Sequence, residues 1–280
     1  MKHILVGADG STGAANALRW ASQLASLHGA EVIVMTGFEP VDSELRPGRL
    51  ETLVARQERE LASWSEAAHL DDVPVRTIVE HGDPRPGILA VAEREHADLI
   101  VIGRVGQSAG PGLFRIGSMA EWLAHHVDRP VAIVRDDVSP TIRNVFVAVD
   151  GSDGSRAAVA WVRELAASVS DMRVVAASVE QPLLEWTPGD YPEDRRRNLE
   201  RRIRDDYAVD LAATDVELDA VALIGLDAAD ALLQAAREQQ CDLVVVGARG
   251  LGGLTGLRIG GVALRTLHLV DRTIVLVPPI

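Results

Sequence analysis

At 280 residues, with 47% apolar and 25% charged residues, the chain has globular composition and the length of two ordinary domains, which excludes wholesale disorder. Its 41 acids against 28 bases give a formal charge of −13, which argues against broad binding to nucleic acid or to an anionic membrane surface. A single cysteine, Cys241, excludes an intrachain disulfide, and no Cys/His cluster proposes a zinc site.

In chain order, Ile4–Val6 reads as a short apolar strand, and Ala14–His28 carries apolar residues at helical spacing. Glu31–Thr36 is β-branched and apolar, Leu50–His69 is helical, and Val73–Val79 reads as a strand. Gly87–His96 reads as a helix and Leu99–Ile102 as a strand, followed by a glycine-rich loop, a helix over Ser118–Val127 and a strand at Val131–Val134. The same alternation then recurs. Strands are expected near 144–149, 173–179, 216–223, 243–246 and 273–277, with helices near 155–169, 193–212, 227–239 and 261–269.

The recurrence is literal at three landmarks. HILVGADG (3–10) matches NVFVAVDG (144–151), ADLIVIGRVG (97–106) matches CDLVVVGARG (241–250), and RPVAIVR (129–135) matches RTIVLVP (272–278). Landmarks in one order at near-constant offset mean a duplication, with units at 1–138 and 141–280 and a joint near Asp136–Thr141. Strand alternating with helix in short apolar runs means a parallel sheet covered on both faces. The fold class is therefore α/β, two tandem doubly wound sheets of five parallel strands each. Ligands of such sheets sit beyond the carboxyl ends of the strands, where the winding reverses.

The loop after the fourth strand carries the strongest signal. It runs from Gly103 through Gly106 to Gly117-Ser118 in the first unit, and from Gly247 through Gly250 to Gly260-Gly261 in the second. Glycines let the backbone approach a ligand closely, and the loop delivers the chain into a helix N-terminus, where free N–H groups and the helix dipole favour an anion. The backbone N–H groups at 260 and 261 are candidates for that contact. Ser118 either offers a hydroxyl to a phosphate or serves as an ordinary helix N-cap.

Charge agrees. Residues 99–120 and 243–270 contain no Asp or Glu, yet hold Arg104, Arg115, Arg249, Arg258 and Arg265. Asp9 and Asp150 end the first strand of each unit, where a carboxylate could accept hydrogen bonds from ribose hydroxyls or an adenine amine, or cap the next helix through Asp-Gly-Ser. Other motifs are missing. There is no GxxxxGK[ST], no GxGxxG after a strand, and no GxSxG or HExxH, and no nucleophile–base pair stands out by spacing. His125-His126 reads as surface, the run Arg195–Arg204 as a solvated helix face, and Trp20 and Trp161 as core or interface. No apolar run approaches the ~20 residues of a membrane helix. The opening MKHILVGADG has no secretory pattern, so a cytoplasmic protein is expected.

These residues resemble the universal stress protein family in its tandem two-domain form, over essentially the whole chain. Nucleotide-binding members of that family carry G-x2-G-x9-G-[ST] after the fourth strand and an Asp ending the first. The second unit keeps the spacing (Gly247, Gly250, Gly260) but has Gly261 where the family has Ser or Thr. The first unit keeps the hydroxyl as Gly117-Ser118 but places ten residues, Pro111 among them, after Gly106.

The resemblance implies a Rossmann-like, adenine nucleotide alpha-hydrolase-like fold. It also implies a nucleotide site lined by Gly7, Ala8, Asp9, Ile102, Gly103, Gly106, Gly117 and Ser118 in one unit. In the other the lining would be Ala148, Asp150, Val179, Val246, Gly247, Arg249, Gly250, Gly260 and Gly261. Val179 would touch adenine, and the matching position in the first unit is Gly37. The implied ligand is ATP, with Mg2+ as an accompanying ion, or AMP. The implied role is regulation or signalling in stress response or dormancy without robust turnover, in a homodimer, with no catalytic residues, no metal site and no nucleic-acid or membrane partner. A nucleotide-free scaffold of the same fold and a weak ATP-hydrolysing enzyme are the alternatives.

Overall fold

Every central strand is a nearly unbroken apolar run, as a strand buried on both faces must be. The computed structural model describes residues 1–39, 48–67, 73–106, 116–126, 128–135, 142–181, 193–211, 216–251 and 258–279. The first repeat forms β1 (His3–Gly7), α1 (Thr12–His28), β2 (Glu31–Phe38), α2 (Arg49–Ala67), β3 (Val75–His81), α3 (Pro84–Arg94), β4 (Leu99–Gly103), α4 (Ser118–His126) and β5 (Val131–Val134). The second forms β6 (Asn144–Ala148), α5 (Asp153–Ala166), β7 (Arg173–Glu180), α6 (Glu193–Leu211), β8 (Glu217–Ile224), α7 (Ala228–Glu238), β9 (Leu243–Gly247), α8 (Gly261–Leu269) and β10 (Thr273–Val277). Two compact units result, one from Met1–Leu123 with Arg129–Pro140 and the other from Ala124–Asp128 with Thr141–Ile280.

Within the first unit β1 pairs with β2 on one side and β4 on the other, β3 lies outside β2 and β5 outside β4, all parallel. The second unit has the same order, β8-β7-β6-β9-β10, again all parallel. The winding therefore reverses between β1 and β4, and between β6 and β9. Those are the strands whose carboxyl ends carry the Asp and the glycine loop. The core is the strand interiors, with Ile4, Leu5, Val6, Ile100 and Val101 inaccessible in one unit and Val145, Phe146, Val147, Val244 and Val245 in the other. Trp20 and Trp161 are buried core residues of α1 and α5.

Two polar devices, present in both repeats, fix the opposite end of each sheet. Asp98 accepts hydrogen bonds from the backbone N–H groups of Lys2 and His3, and Asp242 does the same for Arg143 and Asn144, both at 2.9 Å. Arg129 donates to the carbonyls of Ala92 and Ala97 beyond the end of α3, and Arg272 to those of Ala236 and Cys241 at the end of α7. The Ala92 and Ala236 carbonyls already accept the Ala97 and Cys241 N–H groups, so the guanidinium adds a second donor at the helix end and opposes its dipole.

Asp271 joins this second cluster through Arg272 and Arg237. Burial pushes its carboxyl up, but the hydrogen bonds from Arg272 and Arg237 outweigh that and hold it at about 2. A carboxyl held low stabilises the fold above its ordinary value, near 4, and loses that contribution as pH falls toward 2. With 34% of the Asp271 side chain in water, screening leaves about 1 kcal/mol. Asp271→Asn is expected to lower stability by that amount at pH 7 and by clearly less at pH 2, where the folded-state carboxyl is half protonated, measured by urea unfolding. An equal loss at both values would remove the ion cluster as the cause.

Several boundaries differ from the sequence pattern by two or three residues, among them α1, which begins at Thr12, β2, which ends at Phe38, and α5, which spans Asp153–Ala166; for two others the cause is plain. Helix α3 begins at Pro84, not Gly87, because Asp83 caps it by accepting the Arg85 N–H at 3.0 Å and Pro84 fits the first turn, where its missing N–H has no acceptor. Strand β3 runs Val75–His81, two residues later than the apolar run suggests, following its register with β2 from Val32↔Val75 to Phe38↔His81.

Candidate functional site

Each candidate site is built where β1 and β4, or β6 and β9, end side by side. Gly7 stands opposite Ile102, and a Cβ on Gly7 would lie 3.1 Å from both Ile102 Cγ2 and Ile88 Cδ1, so the strand end is tightly packed. Beyond it the chain leaves the sheet through Ala8, whose N–H bonds the Met35 carbonyl at 2.8 Å. Val149 does the same with Ala177 at 2.8 Å. Val149 is thus the counterpart of Ala8, and Ala148 that of Gly7. The offset of 141 between Asp9 and Asp150 carried that information.

Asp9 and Asp150 turn the chain into the next helix. Asp9 Oδ1 accepts the Ser11 N–H at 3.0 Å, and Asp150 Oδ1 accepts the Ser152 N–H at 2.9 Å. Ser11 and Ser152 are the N-caps, their hydroxyl oxygens accepting from Ala14 and Ser155 N–H groups at 3.1 Å. Each carboxylate also lies against the second glycine of the loop. A Cβ on Gly106 would sit 2.5 Å from Asp9 Oδ2, and one on Gly250 would collide with Asp150 Oδ2. Asp150 Oδ2 further accepts the Leu251 N–H at 3.0 Å. Burial pushes the Asp150 carboxyl up, but hydrogen bonding, chiefly from Ser152 and the Leu251 N–H, outweighs it and holds the group below the ordinary carboxylate range. It is an anion at neutral pH. The Ser152 and Leu251 N–H groups take two of a carboxylate's about four acceptor positions, which leaves capacity for ligand hydroxyls. Capping and ligand contact are compatible.

The glycine loop closes on itself identically in the two units. Gly117 N–H donates to the Arg104 carbonyl and Gly260 N–H to the Ala248 carbonyl, both at 2.7 Å. A Cβ on either would lie 3.6 Å from the backbone nitrogen of Gly106 or Gly250, so the two ends of the loop touch. This corrects the expectation for the Gly260 N–H, which the loop itself consumes. The first helical hydrogen bonds are Glu121 N–H to Gly117 and Leu264 N–H to Gly260, so the open donors of α4 and α8 are those of residues 118–120 and 261–263. Ser118 is the first residue of α4, with an exposed side chain, and not the cap that precedes the helix. Gly261 begins α8, and a Cβ there would meet nothing within 4 Å. The rest of the loops, including Pro111 and Arg115, lies outside the described residues.

The first glycine of each loop makes the site possible. A Cβ on Gly103 would lie 2.7 Å from Gly13 O and 2.9 Å from Ala14 N, and one on Gly247 equally close to Gly154 O and Ser155 N. Helices α1 and α5 thus cross the ends of β4 and β9 backbone to backbone, which is what places the loop against the Asp. Ile102 and Val246 are buried beneath, and Arg249 and Gly250 are exposed at the mouth. Val179 is half-buried near the end of β7. At the matching point, a Cβ on Gly37 would lie 2.7 Å from the Cβ of Pro84, so the proline occupies that space in the first unit. Arg104 is buried where the second unit has Ala248.

Among the described residues no group of three or more His, Cys, Asp or Glu could hold a metal ion, so the chain supplies no built Mg2+ site there. No helix of the described residues is long and apolar enough to cross a membrane.

Comparison with known proteins bears on both repeats separately. The profile of the Universal stress protein family matches residues 1–135 and again 141–278. Universal stress protein Rv2623 of Mycobacterium tuberculosis is 27% identical over 298 residues, covering 98% of this chain and 95% of its own. Universal stress protein MT2087 of the same species is 30% identical over 274 residues, covering 87% and 95%. Among solved structures, a universal stress protein from Archaeoglobus fulgidus superposes with a TM-score of 0.72 over 99% of this chain and 98% of its own, at 19% identity, a likeness of fold. With the family profile spanning both halves and full-length relatives sharing the duplication, this chain belongs to the universal stress protein family.

Proposed function

We propose that the chain is an ATP-binding regulatory protein that holds its nucleotide without robust turnover and acts in stress response or dormancy in the cytoplasm. The observation that carries this reading is the contact, present in both units, between the carboxylate after the first strand and the second glycine of the loop. It sets a ribose-hydroxyl acceptor beside an open helix N-terminus suited to phosphates. Any Mg2+ would arrive on the phosphates. No side chain in the described site is placed as a base to activate water, so slow or absent hydrolysis is expected. AMP would use the same Asp and lose the outer phosphate contacts. A homodimer is part of the proposal, and sedimentation tests it.

The decisive experiment is mass spectrometry of nucleotide released by denaturing the purified protein, followed by calorimetric titration with ATP and AMP. Binding of ATP, with Asp150→Ala losing about tenfold or more in affinity at one site, is expected, because hydrogen bonds to a charged group are worth about 1.5–3 kcal/mol. No bound or titratable nucleotide would favour the scaffold reading. Vigorous hydrolysis that co-purifies with the protein would favour the enzyme reading.

A further inference from the structure

The second unit contains a buried polar chain that the first does not. Tyr207 on α6 is 4% exposed, and its hydroxyl lies 3.3 Å from Ser155 Oγ on α5. Ser155 Oγ donates to the Ser152 carbonyl at 2.9 Å, and its one proton is then committed, so Tyr207 is the donor and Ser155 the acceptor between them. Ser152 in turn bonds both sides of the candidate site. Its N–H holds Asp150 Oδ1, and its hydroxyl lies 3.4 Å from the Arg249 carbonyl in the glycine loop. The first unit has Ala14 in place of Ser155, and on α2 the buried pair Leu61 and Ser65 has the spacing of Ile203 and Tyr207 on α6, with Ser65 bonding its own helix at the Leu61 carbonyl.

From this we infer that Tyr207 is a positioning residue of the second unit's site, acting through Ser155 and Ser152 to hold the Asp150 carboxylate and the start of the glycine loop in their binding geometry. A tyrosine whose only duty was to fill space between α5 and α6 could be phenylalanine. A buried phenol instead needs a partner, and here the partner is a hydroxyl one step from the site. The Ser155 hydroxyl donates to the Ser152 carbonyl and has the Tyr207 phenol behind it as donor. Tyr207 occupies a Ser155 lone pair and so keeps that proton on Ser152, whose N–H holds Asp150. The second unit's site is thereby tied to α6.

The inference rests on the nucleotide reading for its functional consequence, but its test does not need nucleotide. Protein carrying 13C-labelled aspartate, free of ligand at neutral pH, gives an Asp150 carboxyl resonance identified by its loss in Asp150→Asn. Tyr207→Phe and Ser155→Ala are each expected to move that resonance, with the double variant moving it no further than Ser155→Ala alone. An Asp150 signal unmoved by Tyr207→Phe overturns the inference whatever the protein binds. In titration with ATP, Tyr207→Phe is expected to weaken the site that Asp150 serves roughly fivefold, the worth of one neutral hydrogen bond, and to leave the other site alone. An equal loss at both sites would mean general loosening of the fold, and overturns it as well. A moved Asp150 signal in a protein that takes no nucleotide would sink the ATP reading and leave the positioning role standing.

Discussion

Gly247→Ala is expected to destabilise the second unit by about 3 kcal/mol, and Gly103→Ala to do the same to the first. Most added methyl groups find relief in a neighbouring side chain. Here the neighbours are backbone. The new Cβ at 247 would stand 2.6 Å from Gly154 O and 2.9 Å from Ser155 N, at the first turn of α5, where the helix cannot retreat without leaving β9. Gly154→Ala meets the same crossing from the other side, colliding with the Arg249 carbonyl oxygen and lying 3.1 Å from its carbon. Gly261→Ala is the matched control. Nothing lies within 4 Å of its Cβ, and alanine favours a helix over glycine, so stability should hold or rise by up to about 1 kcal/mol. Urea unfolding reads both. A Gly247→Ala midpoint equal to that of the native chain would mean the crossing is looser than the structure has it.

That crossing also marks where the sequence stopped being informative. The duplication, the strand order and the two glycine loops were legible because each is a local pattern or a repeat of one. Gly13 and Gly154 lie in the first turns of α1 and α5, where no local pattern marks them. Their real constraint is a backbone some 90 positions further on, and no periodicity carries it. Pro84 was legible in principle, since Asp83-Pro84 is a helix start, but the apolar spacing drew the boundary to Gly87. The Asp98 and Asp242 clamps and the Arg129 and Arg272 caps sat inside the repeated landmarks in plain view. Their identity at equal offsets showed that they mattered, yet only geometry could show that they tie strand starts and helix ends. Tyr207 had no counterpart to draw attention to it, and its meaning depends on a 3.3 Å contact across two helices.

Gly250→Asp is expected to abolish nucleotide binding in the second unit and leave the first intact, with Gly106→Asp doing the reverse. A Cβ at either glycine already meets the carboxylate of Asp150 or Asp9. An aspartate there adds a second negative charge to that contact and faces the incoming phosphates as well. Like charges about 4 Å apart repel by roughly 4 kcal/mol near a protein surface, so a loss of a hundredfold or more follows. The two variants also rank the sites. The second unit is expected to bind more tightly. Both loops close with the same 2.7 Å hydrogen bond, so the described loop ends do not carry the insertion. The difference lies under the base and behind the carboxylate. Val179 offers an apolar side chain where the first unit has Gly37 covered by Pro84, and the Tyr207–Ser155 pair braces Asp150 where the first unit has Ala14. Against these stands one hydroxyl, Ser118, present in the first unit and replaced by Gly261 in the second. A base contact and a braced carboxylate outweigh it, since a buried valine alone contributes about 1.5–3 kcal/mol. If Gly106→Asp removes the tighter of two calorimetric sites and Gly250→Asp the weaker, the order is reversed, and the Ser118 hydroxyl counts for more than the valine.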